Sequence, residues 1–252
     1  MSTILRPFWS YYGSAWGKTD RGFYPAPDHA TIVEPFAGAA GYSCHYPDRR
    51  VVLCDLDESV VTTWRYLLRV TPAELLALPD LPEGGDLSTV PVCEESRLLM
   101  GWWSGRGRPR AAKASKSWAE KYAGGSRFWS ATVRQRLARQ VGAIRHWQIY
   151  HCSYEAAPVD GPATWFVDPP YQGKKGAAYS CSGSRLDFEA LAHWCRSRPG
   201  QAIVCEAAPA EWLPFWHAGS INAMVGKSAE VVCVLRDGVV NRQQIELFEA
   251  LA

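Results

Sequence analysis

Three short β-rich runs in this chain each stop abruptly at an acid. Thr31-Ile32-Val33-Glu34 ends at Pro35, Arg50-Val51-Val52-Leu53-Cys54 ends at Asp55, and Thr164-Trp165-Phe166-Val167 ends at Asp168. Strands this apolar suit a sheet covered on both faces, and covered sheets are built mostly from parallel strands joined by helical crossovers. The segments between the runs supply such helices. Val60, Val61, Trp64, Leu67 and Leu68 fall on one helical face, as do Phe188, Leu191, Trp194 and Cys195. Further strands are expected at Trp147–Tyr150, Ala202–Cys205 and Glu230–Leu235. A last run near Ile245–Phe248 closes an antiparallel edge. The expected class is α/β, with strands alternating with helices.

One stretch breaks that rhythm. Residues 101–145 hold eleven Lys/Arg against a single acid, Glu120, a local charge of +10 that leaves −8 for the rest of a chain whose net charge is +2. A region this basic, with Trp102, Trp103, Trp118, Phe128 and Trp129 interleaved, suits contact with a polyanion. The expected division is a main domain from 1–65 and 147–252, with an insert at 66–146. In the insert, Thr71-Pro72-Ala73-Glu74 has capping-box form and opens a short helix. Residues 79–92 and the first part of the basic stretch read as loop. Val133, Leu137, Val141 and Ile144 make an apolar helical stripe.

The eight cysteines are scattered through apolar runs without a CxxC pair or Cys/His cluster, so reduced core thiols are expected and a metal site is not. No run of ~18 apolar residues occurs, so no membrane span is expected. The N-terminus, with one Arg and no long apolar stretch, does not resemble a secretory signal, and a cytoplasmic location is expected.

The chemistry-bearing candidates lie at the ends of the apolar runs. In open α/β sheets, ligands bind at the carboxyl ends of strands. Asp168-Pro169-Pro170-Tyr171 follows one such end directly, and its two prolines fix φ and hold the loop in one shape. A carboxylate and a neighbouring proline carbonyl can accept both N–H groups of an exocyclic amine, whose lone pair is otherwise delocalised. Tyr171 offers a flat face for a base. Upstream, Val33-Glu34-Pro35-Phe36-Ala37-Gly38-Ala39-Ala40-Gly41 is a strand running into a turn of very small residues, which allows a close approach to backbone. One strand later, Asp55 can accept both hydroxyls of a ribose.

Taken together, VEPFAGAAG, Asp55, the basic insert and DPPY, in that order over most of the length, resemble the Dam-like, alpha-group DNA adenine-N6 methyltransferases, in a form often found as solitary phage-type enzymes. The resemblance implies a Rossmann-like methyltransferase sheet with a reversed terminal hairpin and a mainly helical target-recognition insert. It implies S-adenosylmethionine as methyl donor, direct transfer to N6 of a flipped adenine in double-stranded DNA, and a monomer or weak dimer, in host-cell cytoplasm if phage-encoded. By the same resemblance, Asp168, Pro169, Pro170 and Tyr171 form the catalytic loop. Tyr11, Tyr12, Gly13, Glu34, Pro35, Phe36, Gly38, Ala39, Gly41, Asp55, Leu56, Ser153, Tyr154 and Asp168 look like cofactor contacts. The family's N-terminal segment commonly reads aromatic-x-Gly-x-Lys, whereas Tyr11-Tyr12-Gly13-Ser14-Ala15 carries Ala at the Lys position. Lys18, three residues on, is expected to take that role. Arg106, Arg108, Arg110, Lys113, Lys116, Arg127 and Arg134 are the expected DNA contacts. Cytosine-N4 or RNA amino-methylation, or a catalytically silent DNA-binding subunit, are the alternative readings. Asp rather than Ser at the head of the loop favours adenine.

Overall fold

The computed structural model describes residues 3–11, 13–81, 86–105, 128–173, 186–222 and 227–240. Tyr12, the run near Ile245–Phe248 and the basic positions Arg106, Arg108, Arg110, Lys113, Lys116 and Arg127 lie outside the described residues.

The chain is α/β, built on a mixed sheet. In chain order the strands are β1 (Thr31–Glu34), β2 (Arg50–Asp55), β3 (Gln148–His151), β4 (Ala163–Val167), β5 (Gly200–Ala207), β6 (Trp216–Asn222), β7 (Lys227–Arg236) and β8 (Val239–Val240). The sheet order is β3-β2-β1-β4-β5-β7-β6, with β8 on β7. β2, β1, β4 and β5 run parallel to one another, and β7 is antiparallel to β5. β1, β4 and β5 are covered almost throughout, as their continuous apolar runs require. The helices are α1 (Trp16–Asp20), α2 (Glu58–Arg69), α3 (Pro72–Ala77), α4 (Glu94–Ser104), α5 (Ala131–Gln140) and α6 (Phe188–Arg196). No helix of the described residues is long and apolar enough to cross a membrane.

The chain divides into two compact units. One contains residues 1–16, 38–48 and 58–149, and the other 17–37, 49–57 and 150–252. The expected insert at 66–146 is therefore only part of a larger unit that also includes the N-terminal segment and α2. The reason is a shared aromatic core. Trp64 of α2 packs 4.8 Å from Trp9 and 5.7 Å from Phe8 and Trp147, while Trp102 stacks on Trp9 at 6.0 Å and donates to Thr63 Oγ1. Burying several indoles together needs partners for their N–H groups. Trp64 donates to the Gly38 carbonyl, Trp103 to Phe8 and Trp147 to Pro47.

Within this unit Thr71 forms the expected capping box with Glu74 at the start of α3. The apolar stripe of α5 is buried at Val133, Leu137, Val141 and Ile144. The expectation of loop through Trp102-Trp103 is corrected: both tryptophans sit in the last turn of α4, and both are buried. Tryptophan pairs obscure helical period in sequence, because their bulk is buried on whichever face they occupy.

In the other unit, α6 is capped by Asp187, whose carboxylate accepts from the Glu189 and Ala190 amides. Its Trp194 meets Trp165 of β4 edge-to-face at 5.3 Å, fixing the helix on the sheet. β6 pairs with β7 through a register irregularity between His217 and Gly219, opposite Glu230. Such bulges bend the strand that carries them and recur beside functional sites.

Candidate functional site

β4 delivers Asp168 at its carboxyl end, next to β1 on one side and β5 on the other. Pro169-Pro170 then stops the strand and turns Tyr171 inward. The Tyr171 hydroxyl accepts from Lys18 Nζ at 2.9 Å and donates to Glu230 Oε1 at 2.5 Å. Asp168 is also within reach of this hydroxyl. Tyr171 thus has one proton and two carboxylates competing for it. The flat platform expected of Tyr171 is anchored at its hydroxyl, with the ring only partly exposed.

Lys18, from α1, is buried and ion-paired with Glu230 Oε1 at 2.8 Å. The same oxygen accepts from the Tyr24 hydroxyl at 2.6 Å. A buried carboxylate needs this many donors, since an unpaired charge here would cost several kcal/mol, on the order of 3–5. Burial works against the Lys18 ammonium, but Asp168 and Glu230 outweigh it and hold its pKa above the usual lysine value. Burial raises the Asp168 pKa to about 6, although Lys18 opposes the shift; Glu230 adds to it. Tyr24, Tyr171 and the Cys205 thiol are all pushed upward by burial and by the neighbouring carboxylates, so they stay neutral.

Asp168, Cys205 and Glu230 place one ligand atom each within 4.8 Å of one another, a grouping that could hold a metal. The Lys18 ammonium lies beside this grouping, bound to Glu230 Oε1 at 2.8 Å. Lys18 thus contacts the Asp168–Tyr171 loop through the Tyr171 hydroxyl. Ala15 itself is buried.

Sequence reasoning missed Glu230, Tyr24 and Glu206. Glu206, at the end of β5, is almost fully buried and accepts from the backbone N–H of Gln172 at 3.2 Å, of Ala207 at 2.8 Å and from Trp212 Nε1 at 3.4 Å. It clamps the residue after Tyr171. The available signal was an acid within an otherwise apolar strand, present in both AIVCEA and AEVVCVL.

The remaining expected cofactor contacts of this unit lie on neighbouring strand ends. Glu34 and Pro35 are buried at the end of β1, and Phe36 stacks on Tyr154 at 5.6 Å with 25° between planes. Asp55 closes β2 and accepts from the Asp57 amide at 2.8 Å, while Leu56 is 54% exposed. Ser153 precedes a single 3₁₀ turn that carries Tyr154. Phe36, Asp55, Tyr154 and Asp168 thus occupy the carboxyl ends of β1, β2, β3 and β4 of one sheet.

In the other unit, Gly38, Ala39 and Gly41 form the small-residue turn, with φ of +43° at Gly38 and +47° at Ala40. Their lack of bulk makes room for the N-terminal segment. A Cβ on Gly38 would lie 2.7 Å from the Tyr11 ring, and one on Gly41 would lie 2.5 Å from the Trp16 amide nitrogen. Gly13, also at positive φ, turns the chain between these contacts. Gly41→Ala is expected to destabilise the protein by about 1–3 kcal/mol, because the Trp16 backbone must yield. Gly142, with nothing within 4 Å of its Cβ direction, is the control. Thermal unfolding of the two alanine variants checks this: only Gly41→Ala should lower Tm.

Arg134 corrects an expectation. Its guanidinium binds Asp80 at 2.6 Å and the Pro79 carbonyl at 3.2 Å, and the residue is buried. It secures the 79–80 segment to α5 and does not face outward as a phosphate contact.

No family model matches the chain, and no curated protein matches it. Among solved structures it is similar to a conserved hypothetical protein of Streptococcus pyogenes, 12% identical over 80% of this chain and 84% of that one. The TM-score of that pair is 0.31, too low to carry an argument.

Proposed function

We propose that this chain is an S-adenosylmethionine-dependent amino-methyltransferase acting on N6 of adenine in double-stranded DNA. The observation that carries the reading is the Asp168 carboxylate, held at the carboxyl end of β4 beside a Lys18–Glu230–Tyr171 cluster. The sheet order, with β7 reversed against β5, supports a Rossmann-like methyltransferase sheet with a reversed terminal hairpin.

The residues fit the cofactor class. The stacked pair of Phe36 and Tyr154 supplies an aromatic surface for an adenine, and Asp55 supplies a carboxylate for ribose hydroxyls. When bound, S-adenosylmethionine supplies a methyl group on a positively charged sulfur, which leaves as a neutral thioether. Asp168 accepts one N–H of the target amine and the Pro169 carbonyl accepts the other, which aims the nitrogen lone pair. With its pKa near 6, Asp168 is a stronger base than an ordinary aspartate, and its carboxylate can take the proton that N6 loses. Glu230 matters because it draws the Tyr171 proton away from Asp168, leaving that carboxylate free to accept from substrate. Lys18 offsets part of the negative charge around them.

Incubation with methyl-labelled S-adenosylmethionine and unmodified duplex DNA tests the proposal. Label is expected in the DNA. A folded protein that binds DNA and transfers no label would be a silent binding subunit instead.

A further inference from the structure

Two arginines of the N-terminal unit stand in an arrangement that the methyl-transfer reading leaves unused. Gln140, the last residue of α5, accepts from the Arg6 amide at 3.2 Å and donates to the Arg6 carbonyl at 2.7 Å. This two-point bond ties Arg6 to the helix one turn beyond Arg136. Each guanidinium then lies over an indole, Arg6 4.6 Å from the Trp16 ring and Arg136 4.8 Å from the Trp103 ring. Trp103 is itself fixed by its N–H to the Phe8 carbonyl. Stacking holds a guanidinium flat and in place, so little freedom is lost when its donors are used.

The charges are not balanced. Among the described residues neither guanidinium has a carboxylate partner. Nε and Nη2 of Arg136 are buried with no hydrogen-bond acceptor, an arrangement that normally signals a missing partner. Burial, and then the nearby Arg6, pull the Arg136 pKa below the usual arginine value. A partly desolvated guanidinium with a like charge nearby is a cost to the folded protein that an anion bound by both would relieve. Nη1 is the Arg136 nitrogen outside the buried, unpartnered set, and Arg6 is exposed.

We infer that Arg6 and Arg136 form an oxyanion clamp that takes one phosphate of a nucleic-acid backbone. The identity of the carrier rests on the DNA reading above; the clamp rests on the two stacked, unpaired guanidiniums. Paired arginines suit the tetrahedral oxygens of a phosphodiester, and such contacts position a duplex without reading its sequence.

The test is equilibrium binding of a fluorescein-labelled 20-base-pair duplex by anisotropy, from 50 to 200 mM salt and without methyl donor. Arg136→Gln and Arg6→Gln are each expected to weaken binding about ten-fold at the lowest salt and to reduce the slope of log affinity against log salt by about one. Because both residues hold one phosphate, the double variant should lose little more than either single one. Arg6→Gln, at an exposed position, keeps the test open if Arg136→Gln fails to fold. In a second arm, inorganic phosphate at constant ionic strength should raise the wild-type Tm and leave the Tm of Arg6→Gln unmoved. Unchanged duplex affinity and slope in a folded variant would overturn the clamp. A phosphate-dependent Tm shift with unchanged duplex affinity would assign the site to free phosphate and overturn the nucleic-acid carrier. Without methyl donor present, the result is independent of whether the protein transfers a methyl group.

Discussion

Asp168→Asn should lower methyl transfer by roughly 10²–10⁴-fold while leaving S-adenosylmethionine binding nearly unchanged. The substitution keeps the shape of the side chain, so the β4 terminus and the two prolines stay in place. It removes the charge proposed to orient the amine and receive its proton, and it puts N–H donors where that proposal needs an acceptor. Activity should show the same dependence in its pH profile. Burial raises the Asp168 pKa to about 6 in the folded protein. Transfer should therefore fall as pH drops through about 6, some two units above the limb expected of an exposed aspartate. Stability should move the other way. A carboxyl whose folded pKa lies above its unfolded value takes up its proton first in the folded state. Between about pH 6 and 4 protonation of Asp168 thus favours folding while it removes activity. Rate against pH and unfolding against pH, measured on one preparation, would separate the two. Coincident losses of both would argue that the acid limb is unfolding.

Glu230→Leu should be among the most damaging single changes to stability. Lys18 is 6% exposed and Glu230 2% exposed at the side chain, so deleting one partner strands the other charge in the interior. The expected loss is roughly 3–5 kcal/mol, a fall in Tm of roughly 6–20 °C for a chain of this size. Asp168 still faces Lys18, so the ammonium is not wholly without an opposite charge, which places the outcome toward the lower end. Adding Lys18→Met should recover much of the stability but not the methyl transfer, since Tyr171 would then turn its proton to Asp168. Thermal unfolding of the two singles and the double gives the coupling directly. Additive losses would mean that the pair acts separately, contrary to the geometry.

Much of the strand framework was legible because its signal is local. The runs at Thr31, Arg50, Thr164, Ala202 and Glu230 each contain two to five consecutive apolar residues, and burial on both faces of a sheet selects for that pattern. The Asp168 loop was legible for the same reason, as an acid and two prolines at the end of such a run. Glu230 was not, because its place depends on pairing between β6, β7 and β5, across a bulge at His217–Gly219. Nothing in AEVVCVL by itself says that its acid faces Lys18, some 212 residues away in the chain. β6 was missed as a strand because WHAGSIN mixes glycine and polar residues at a sheet edge. Arg134 misled because charge in a basic segment looks solvent-facing, and only its contacts with Pro79 and Asp80, distant in the chain, show otherwise. The glycines of the 38–41 turn were legible as a close approach. What approaches them is the chain's own N-terminal segment, Tyr11 at Gly38 and Ala15–Trp16 at Gly41.

The central claim is that Asp168 directs methyl transfer to the amino group of adenine. Its most direct test is the nucleoside composition of duplex DNA treated with the wild-type protein and S-adenosylmethionine, then digested and separated by mass. N6-methyldeoxyadenosine is expected with the wild type and should be nearly absent with Asp168→Asn. N4-methyldeoxycytidine as the product, or equal N6-methyldeoxyadenosine from both proteins, would contradict the account.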